Sequence, residues 1–219
     1  MTEVKFCGLM RRDDASAAAA LGAAYVGVIF AGGARMVTAD VARSVLDGAR
    51  GPGTPRRVGV FGDQPAADIV ALAREARLDV VQLHGASDAA VVRAVRARFA
   101  GEVWRVVRVR DGEGDALRHA GEGVDAVVCD AYVAGALGGT GVALHWGQLA
   151  RLIESAGRPA RLVLAGGLRA ANVEDAIRLV GPDVVDVSSG VESATGIKDH
   201  ALMRAFADAT RRGGRPDGS

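Results

Sequence analysis

The chain has 219 residues, of which 49% are hydrophobic, and its formal net charge is +1. This length fits one domain with a substantial core, and the hydrophobic content excludes disorder over most of the chain. The near-neutral charge argues against a nucleic-acid binder, and the lack of a membrane-length apolar run or a signal-peptide pattern leads us to expect a cytoplasmic protein without a membrane partner.

Eight apolar, β-branched runs recur along the chain, and each predicts a buried strand. In order they are Val4–Cys7, Tyr25–Phe30, Arg57–Phe61, Val80–His84, Val103–Val109, Ala126–Asp130, Leu162–Ala165 and Val184–Ser188. Segments with helical periodicity separate them, namely Asp14–Leu21, Ala39–Leu46, Ala66–Ala76, Asp88–Arg98, His145–Ile153, Ala171–Leu179 and Asp199–Ala209. The segment Asp111–Ala120 is interrupted by glycine, so it predicts only a weak helix.

The alternation of strands and helices predicts a parallel sheet covered by helices. Eight repeats in this length favour an α/β fold closed into a single-domain (β/α)8 TIM barrel, and the competing fold is an open doubly wound sheet. We expect the barrel to span residues 1–210 and a disordered tail to follow over 211–219.

Two predicted strands near the end of the chain run into small residues, Gly166-Gly167 after the seventh and Ser188-Ser189-Gly190 after the eighth. Such turns expose backbone N–H groups that can hold a phosphate. The loops after strands seven and eight form the phosphate site of many (β/α)8 barrels. We therefore predict phosphate binding by these five residues, the alternative being that the glycines only form tight turns.

Two further connections are rich in glycine. Residues Gly48–Pro55 precede a strand and are predicted to form a loop without chemistry at the opposite face. Residues Ala131–Val142 follow a strand, so they lie on the face where barrel enzymes work and predict a mobile lid.

Reactive side chains stand at the carboxyl ends of four predicted strands. They are Cys7 on the first, His84 on the fourth, Asp130 on the sixth, and Asp186 with Ser188 on the eighth. Because these ends meet at the mouth of a barrel, the groups are predicted to share one cavity.

Strand alternation separates the two cysteines. If Cys7 faces the interior then Lys5 does too, and if Asp130 faces the interior then Cys129 points into the apolar outer layer. Cys129 is therefore predicted to be an inert packing thiol, whereas Cys7 is either reactive or a small core filler. The two form no metal-ligand spacing, and no metal site is expected.

Seven short motifs follow one another over nearly the whole chain. They are Lys5–Leu9, Gly27–Phe30 with Arg35, Gly59–Phe61, Asp79–Gly85, Gly138–Gly141 with Trp146, Leu164–Leu168 with Asn172-Val173, and Asp186–Glu192 with Gly196 and Lys198-Asp199. Each is modest alone, but together and in this order they resemble the phosphoribosylanthranilate isomerase family.

The resemblance implies an Amadori rearrangement of N-(5′-phosphoribosyl)anthranilate to 1-(2-carboxyphenylamino)-1-deoxyribulose 5-phosphate, a step of tryptophan biosynthesis. This reaction needs a general acid and a general base and no cofactor. The resemblance maps the base onto Cys7 and the acid onto Asp130. A positive neighbourhood favours the thiolate that the base requires, and Lys5 is one source of it.

The resemblance also implies substrate contacts. Arg35 would bind the anthranilate carboxylate through paired N–H donors, unless it is a solvated loop residue. Asp186 would hold a ribose hydroxyl or anchor a loop, and His84 would contact the ligand or anchor a loop. Gly139 and Gly141 would help to hold the phosphate. The expected partner is thus a small phosphorylated substrate, and the expected assembly is a monomer or a homodimer.

The sequence departs from the family pattern at three places. Met10 stands where the family usually has Thr, Ala31–Ala34 lacks the usual Lys-Ser-Pro character, and Gly62-Asp63 replaces a usual Val-Asn. None of these departures touches the acid or the base, so activity is expected to survive.

Three alternative functions remain. A histidine-pathway or dual-substrate ribonucleotide isomerase would carry an aspartate where this chain has Cys7. A sugar-phosphate-binding barrel without turnover would not need both Cys7 and Asp130. A nucleotide-binding oxidoreductase is disfavoured because Leu144 stands where the dinucleotide fingerprint needs its third glycine.

Overall fold

The computed structural model of the protein describes residues 1–50, 53–85, 88–108, 115–130 and 146–214. Within these ranges strands and helices alternate in the predicted order. The lid predicted over Ala131–Val142, with Gly139 and Gly141, lies outside the described residues.

Eight parallel strands pair in chain order, and the eighth pairs with the first, so the sheet closes into a barrel. The strands are β1 (Glu3–Phe6), β2 (Tyr25–Ile29), β3 (Arg56–Phe61), β4 (Val80–Leu83), β5 (Glu102–Arg108), β6 (Ala126–Asp130), β7 (Leu162–Ala165) and β8 (Val184–Val187). The (β/α)8 prediction is confirmed, and the open sheet is excluded.

Helices follow the strands and cover the outside of the barrel. They are α1 (Arg12–Ala20), α2 (Ala39–Leu46), α3 (Ala66–Glu75), α4 (Ala89–Arg96), α5 (Asp115–Arg118), α6 (Trp146–Ala156), α7 (Val173–Val180) and α8 (His200–Gly213). The fifth is described over Asp115–Arg118, and the earlier part of the weak helix predicted over Asp111–Ala120 lies outside the described residues. Within the described ranges, every helix is too short or too polar to cross a membrane.

The last helix is longer than predicted. It continues through Gly213, so the disordered tail expected from residue 211 is wrong for residues 211–213. Arg211 pairs with Asp208, and Arg212 Nε donates to Glu174 Oε2 at 3.2 Å. Cations near a helix C-terminus also interact favourably with the helix dipole, which extends the last turns.

Alternating side chains on each strand build two apolar regions. On β6, Ala126 and Val128 face the barrel interior, whereas Val127 and Cys129 pack in the layer between strands and helices. Burial raises the pKa of Cys129 to about 12, so this thiol is inert, as predicted.

Aromatic rings fill the interior near the end where the strands begin. Tyr25 and Trp104 meet edge to face with ring centroids 4.8 Å apart. The Trp104 Nε1 donates to Glu102 Oε2 at 2.8 Å, which satisfies the indole. The free space of the interior therefore lies toward the carboxyl ends of the strands.

A small hairpin that sequence patterns did not predict follows β8. A 3₁₀ turn, Ser189–Val191, leads into the antiparallel strands β9 (Glu192–Ala194) and β10 (Ile197–Lys198). Asp199 then caps α8 by accepting from the backbone N–H of Ala201 at 2.8 Å. The hairpin brings Glu192 and Lys198 side by side at the mouth of the barrel.

Candidate active site

A cavity of about 230 Å³ opens at the carboxyl ends of the strands. All eight strands or the residues directly after them contribute to its wall, which comprises Cys7, Ile29, Val60, Gln82, His84, Val106, Val128, Asp130, Ala165, Gly166, Gly167, Leu168, Asp186, Ser188, Ser189 and Gly190. The four strand ends that carry reactive groups thus meet at one cavity, as strand alternation predicts.

An ion pair lies beneath the Cys7 thiol. Lys5 Nζ donates to Asp186 Oδ2 at 2.7 Å, and the pairing of β1 with β8 sets these two residues side by side. Burial works against the charge on Lys5, but the attraction of Asp186 and Cys7 outweighs it and raises the pKa of Lys5. A charged lysine therefore lies next to the thiol.

The Cys7 thiol is buried, and its environment acts on it in opposite directions. Burial raises the pKa of Cys7, whereas the Lys5 charge and a hydrogen bond with Lys5 lower it. Gly27 leaves room for both groups, because an added Cβ there would lie 3.2 Å from Cys7 Sγ and 3.4 Å from Lys5 Cε. Lys5 is the group that favours the thiolate, as the sequence suggested.

The Asp130 carboxylate and the His84 imidazole lie close together on the wall. Asp130 Oδ2 is 4.0 Å from His84 Nε2. Burial lowers the pKa of His84 in spite of the nearby Asp130 charge. The imidazole is therefore mainly neutral at neutral pH and contributes a hydrogen-bonding group rather than a positive charge.

The two small-residue turns lie together on one side of the cavity. Gly190 approaches the loop after β7 so closely that an added Cβ would lie 1.9 Å from the Leu168 carbonyl oxygen. Gly166 and Gly167 adopt positive φ angles of 93° and 63°. The close approach at Gly190 and the positive φ angles favour glycine at these positions, and both turns line the cavity.

Regular helix does not follow these turns directly. Helix α7 begins at Val173, six residues after Gly167, and Ser189 opens only a single 3₁₀ turn. The cavity wall here is therefore formed by the turns themselves and not by the first turn of a long helix.

Arg35 lies next to Gly8 at the edge of the cavity, although it is not one of the residues that line it, and a carboxylate holds it. Its Cδ packs against Gly8, and its Nε and Nη2 donate to Glu192 at 2.8 Å and 2.6 Å. Lys198 Nζ donates to the same carboxylate at 2.8 Å. Burial alone would raise the pKa of Glu192, but Arg35 and Lys198 lower it to about 2. Arg35 is therefore an ordered residue and not a solvated loop arginine.

Sequence reasoning assigned no role to three polar residues at or beside this site. Gln82 lines the cavity on β4, and Glu192 and Lys198 form the cluster with Arg35. The alternation rule was sufficient to find Gln82, because it lies two residues before His84 and therefore on the same side of the strand. The hairpin that positions Glu192 and Lys198 left no comparable signal.

Comparison with protein families gives one match that covers nearly the whole chain. Residues 4–209 match the model of the family described as N-(5′-phosphoribosyl)anthranilate isomerase. A protein of that name from Pseudomonas paraeruginosa is 38% identical over 216 residues, which cover 98% of this chain and 97% of the relative. Another from Granulibacter bethesdensis is 41% identical over 217 residues, covering 96% and 99%.

Solved structures of similar proteins give the same result. The phosphoribosylanthranilate isomerase of Thermotoga maritima aligns with a TM-score of 0.85 at 31% identity, covering 96% of this chain and 99% of that one. A phosphoribosylanthranilate isomerase in complex with reduced 1-(o-carboxyphenylamino)-1-deoxyribulose 5-phosphate aligns with a TM-score of 0.80 at 30% identity over the same shares.

Proposed function

This chain belongs to the N-(5′-phosphoribosyl)anthranilate isomerase family, and we propose that Cys7 and Asp130 are the base and the acid of its reaction. The chain is an isomerase of tryptophan biosynthesis that acts on phosphoribosylanthranilate. The observation that carries the assignment of the two residues is that both side chains line the same cavity at the mouth of the barrel.

The acid step opens the sugar ring. In its protonated form, Asp130 gives its proton to the ring oxygen as the bond from C1 to that oxygen breaks, and the electron pair of that bond stays on the oxygen. The nitrogen lone pair then forms a double bond to C1, which yields an iminium ion. Val106 and Val128 give the cavity wall on this side apolar side chains.

The base step forms the enolamine. The iminium acidifies the proton at C2, and the Cys7 thiolate removes it. The electron pair of that C–H bond forms the double bond from C1 to C2, and the nitrogen regains its lone pair. Lys5, charged and adjacent, supports the thiolate, while the developing iminium provides a second positive charge near it.

The remaining wall is suited to hold the two ends of the substrate. The turns at Gly166-Gly167 and Ser188-Ser189-Gly190 offer backbone N–H groups for the phosphate. Asp186, whose Oδ2 is bound by Lys5, offers Oδ1 to a ribose hydroxyl, and His84 offers a second contact.

Arg35 is proposed to bind the anthranilate carboxylate. Glu192 engages Nε and Nη2, so Nη1 lies on the side of the guanidinium that Glu192 does not occupy. Together with Lys198 the cluster keeps one net positive charge, which suits an anionic group. Binding at Gly139 and Gly141, the cytoplasmic location and a monomeric or homodimeric state stay predictions.

The test is the conversion of phosphoribosylanthranilate by the purified protein, followed by the loss of substrate fluorescence. Cys7→Ser and Asp130→Asn should each lower kcat by about 10²- to 10⁴-fold with the fold retained, because each removes one proton-transfer group. Cys129→Ala is the matched control and should keep kcat, since that thiol packs outside the barrel. Near-normal turnover by either site variant would overturn its assigned role.

A further inference from the structure

Gln82 is a buried polar residue in a mainly apolar part of the cavity wall. Its side chain is on the cavity-facing side of β4, and the residue is only 3% exposed. Its Oε1 has no hydrogen-bond partner within the part of the chain that the structure describes. Leaving a buried amide oxygen unpaired costs free energy, so an unpaired one on a side chain that lines a cavity indicates a ligand that donates to it.

The neighbouring donors inside the barrel are already used. The Trp104 indole, which pairs in register with Gln82, donates to Glu102 at 2.8 Å. The Lys5 ammonium lies with Asp186 and Cys7. The register neighbour on the other side is Val60, which has no polar side-chain atom. Among the described residues, these neighbours therefore leave the Gln82 oxygen available to a donor of the bound molecule.

The position of Gln82 in the barrel indicates which donor this is. In a closed sheet of eight strands in chain order, β4 lies opposite β8. The proposed phosphate site is formed by the turns after β7 and β8, so the phosphate end of the substrate occupies that side. The nitrogen on C1 is at the other end of the sugar, so it lies away from these turns and toward the middle of the cavity that Gln82 lines.

We propose that Gln82 Oε1 accepts a hydrogen bond from the N–H of the iminium ion that forms when the sugar ring opens. This inference rests on the proposed function. The nitrogen is a neutral amine before ring opening and becomes positively charged afterwards. Hydrogen bonds to charged groups are stronger than neutral ones, so the Gln82 carbonyl stabilises the iminium more than the substrate. Gln82 thereby lowers the barrier and adds little to substrate binding.

The experiment compares Gln82→Met with the wild-type enzyme. Methionine keeps the length of the side chain and removes the acceptor, so kcat should fall by about 10- to 100-fold. Binding of reduced 1-(o-carboxyphenylamino)-1-deoxyribulose 5-phosphate, which carries a neutral amine, should weaken by less than about fivefold. Without ligand, the variant should resist heat better than the wild type, because it no longer buries an unpaired amide.

Gln64→Met is the matched control. The Gln64 Oε1, like that of Gln82, has no partner among the described residues, but Gln64 Nε2 donates to the Phe30 carbonyl oxygen at 2.7 Å and the residue is not part of the cavity wall. The control should therefore keep kcat within about twofold, because it loses the same kind of group away from the substrate.

Two results would overturn the inference for Gln82. One is a wild-type kcat in Gln82→Met, and the other is a variant whose kcat and analogue binding fall by the same factor. If the wild-type protein itself does not convert phosphoribosylanthranilate, the proposed function is wrong, and the result says nothing particular about Gln82. The wild-type assay therefore separates the two failures.

Discussion

Arg35 and Glu192, which lie 157 positions apart, form a two-pronged ion pair through Nε and Nη2 of the guanidinium. The arginine proposed to bind the substrate carboxylate is thus held in place before any substrate arrives. Lys198 contacts the same carboxylate and is itself buried. A prearranged cation binds an anion at a lower entropic cost than a mobile one.

Arg35→Ala should act mainly on substrate binding. We expect KM to rise by about 10- to 100-fold with a much smaller change in kcat, because the lost contact is with a group that does not react. Steady-state kinetics measures both constants. Arg43→Ala, which removes an exposed arginine paired with Asp40, is the control and should leave KM unchanged. An unchanged KM in Arg35→Ala would show that Arg35 does not contact the substrate.

Glu192→Gln should change how stability depends on pH. The folded protein lowers the pKa of Glu192 from its ordinary 4.5 to about 2. The charged carboxylate therefore stabilises the fold at a pH above its ordinary value, and this stabilisation is lost as the pH falls toward about 2. The shift corresponds to a free energy on the order of 3 kcal/mol.

Denaturant unfolding of wild type and Glu192→Gln across the acidic range measures this effect. The wild type should be the more stable near neutrality, and the difference should shrink between about pH 5 and about pH 2. A difference that stays constant over this range would contradict the role of the Glu192 charge.

Lys5→Met should raise the pH at which Cys7 ionises. Burial already raises the pKa of this thiol, and Lys5 works against that effect. Without Lys5, the thiolate should appear at a higher pH, and the rise of kcat/KM with pH should move in the same direction. Ultraviolet absorbance of the thiolate during a pH titration measures the change, and Cys7→Ser identifies its source. If the thiolate appeared at the same pH in Lys5→Met as in the wild type, Lys5 would have no role in the ionisation of Cys7.

Gly27→Ala should displace the proposed base. The new methyl group would lie 3.2 Å from Cys7 Sγ, which is closer than a relaxed contact, so the thiol has to move by a few tenths of an ångström. We expect kcat to fall by about tenfold, since small displacements of reacting groups are costly. Gly121→Ala has open space around the new methyl group and should leave kcat unchanged. Equal activity of both variants would mean that the thiol position is not critical.

The barrel and the meeting of its strand ends could be predicted because both follow from local patterns. The period of two along β1 places Lys5 and Cys7 on one side, and on β6 it separates Asp130 from Cys129. The contact of the Phe6 ring with Phe206 of α8 confirms that the alternate side of β1 faces the helices.

The features that could not be predicted are contacts between residues that lie far apart in the sequence. The Arg35 ion pair joins the loop after β2 to the hairpin after β8, and no residue spacing in the sequence predicts this contact. The same holds for the end of α8, where Arg212 reaches Glu174 on the neighbouring helix. Such contacts depend on how distant elements pack, whereas the alternation of side chains can be predicted within each strand.

The hydrogen-bonded seam between β1 and β8 joins the first and the last barrel strand along the chain. Until β8 is in place, β1 keeps an unpaired edge and Lys5 lacks its counterion Asp186. A nascent chain whose β8 is still inside the ribosome therefore has neither a closed barrel nor a protected strand edge.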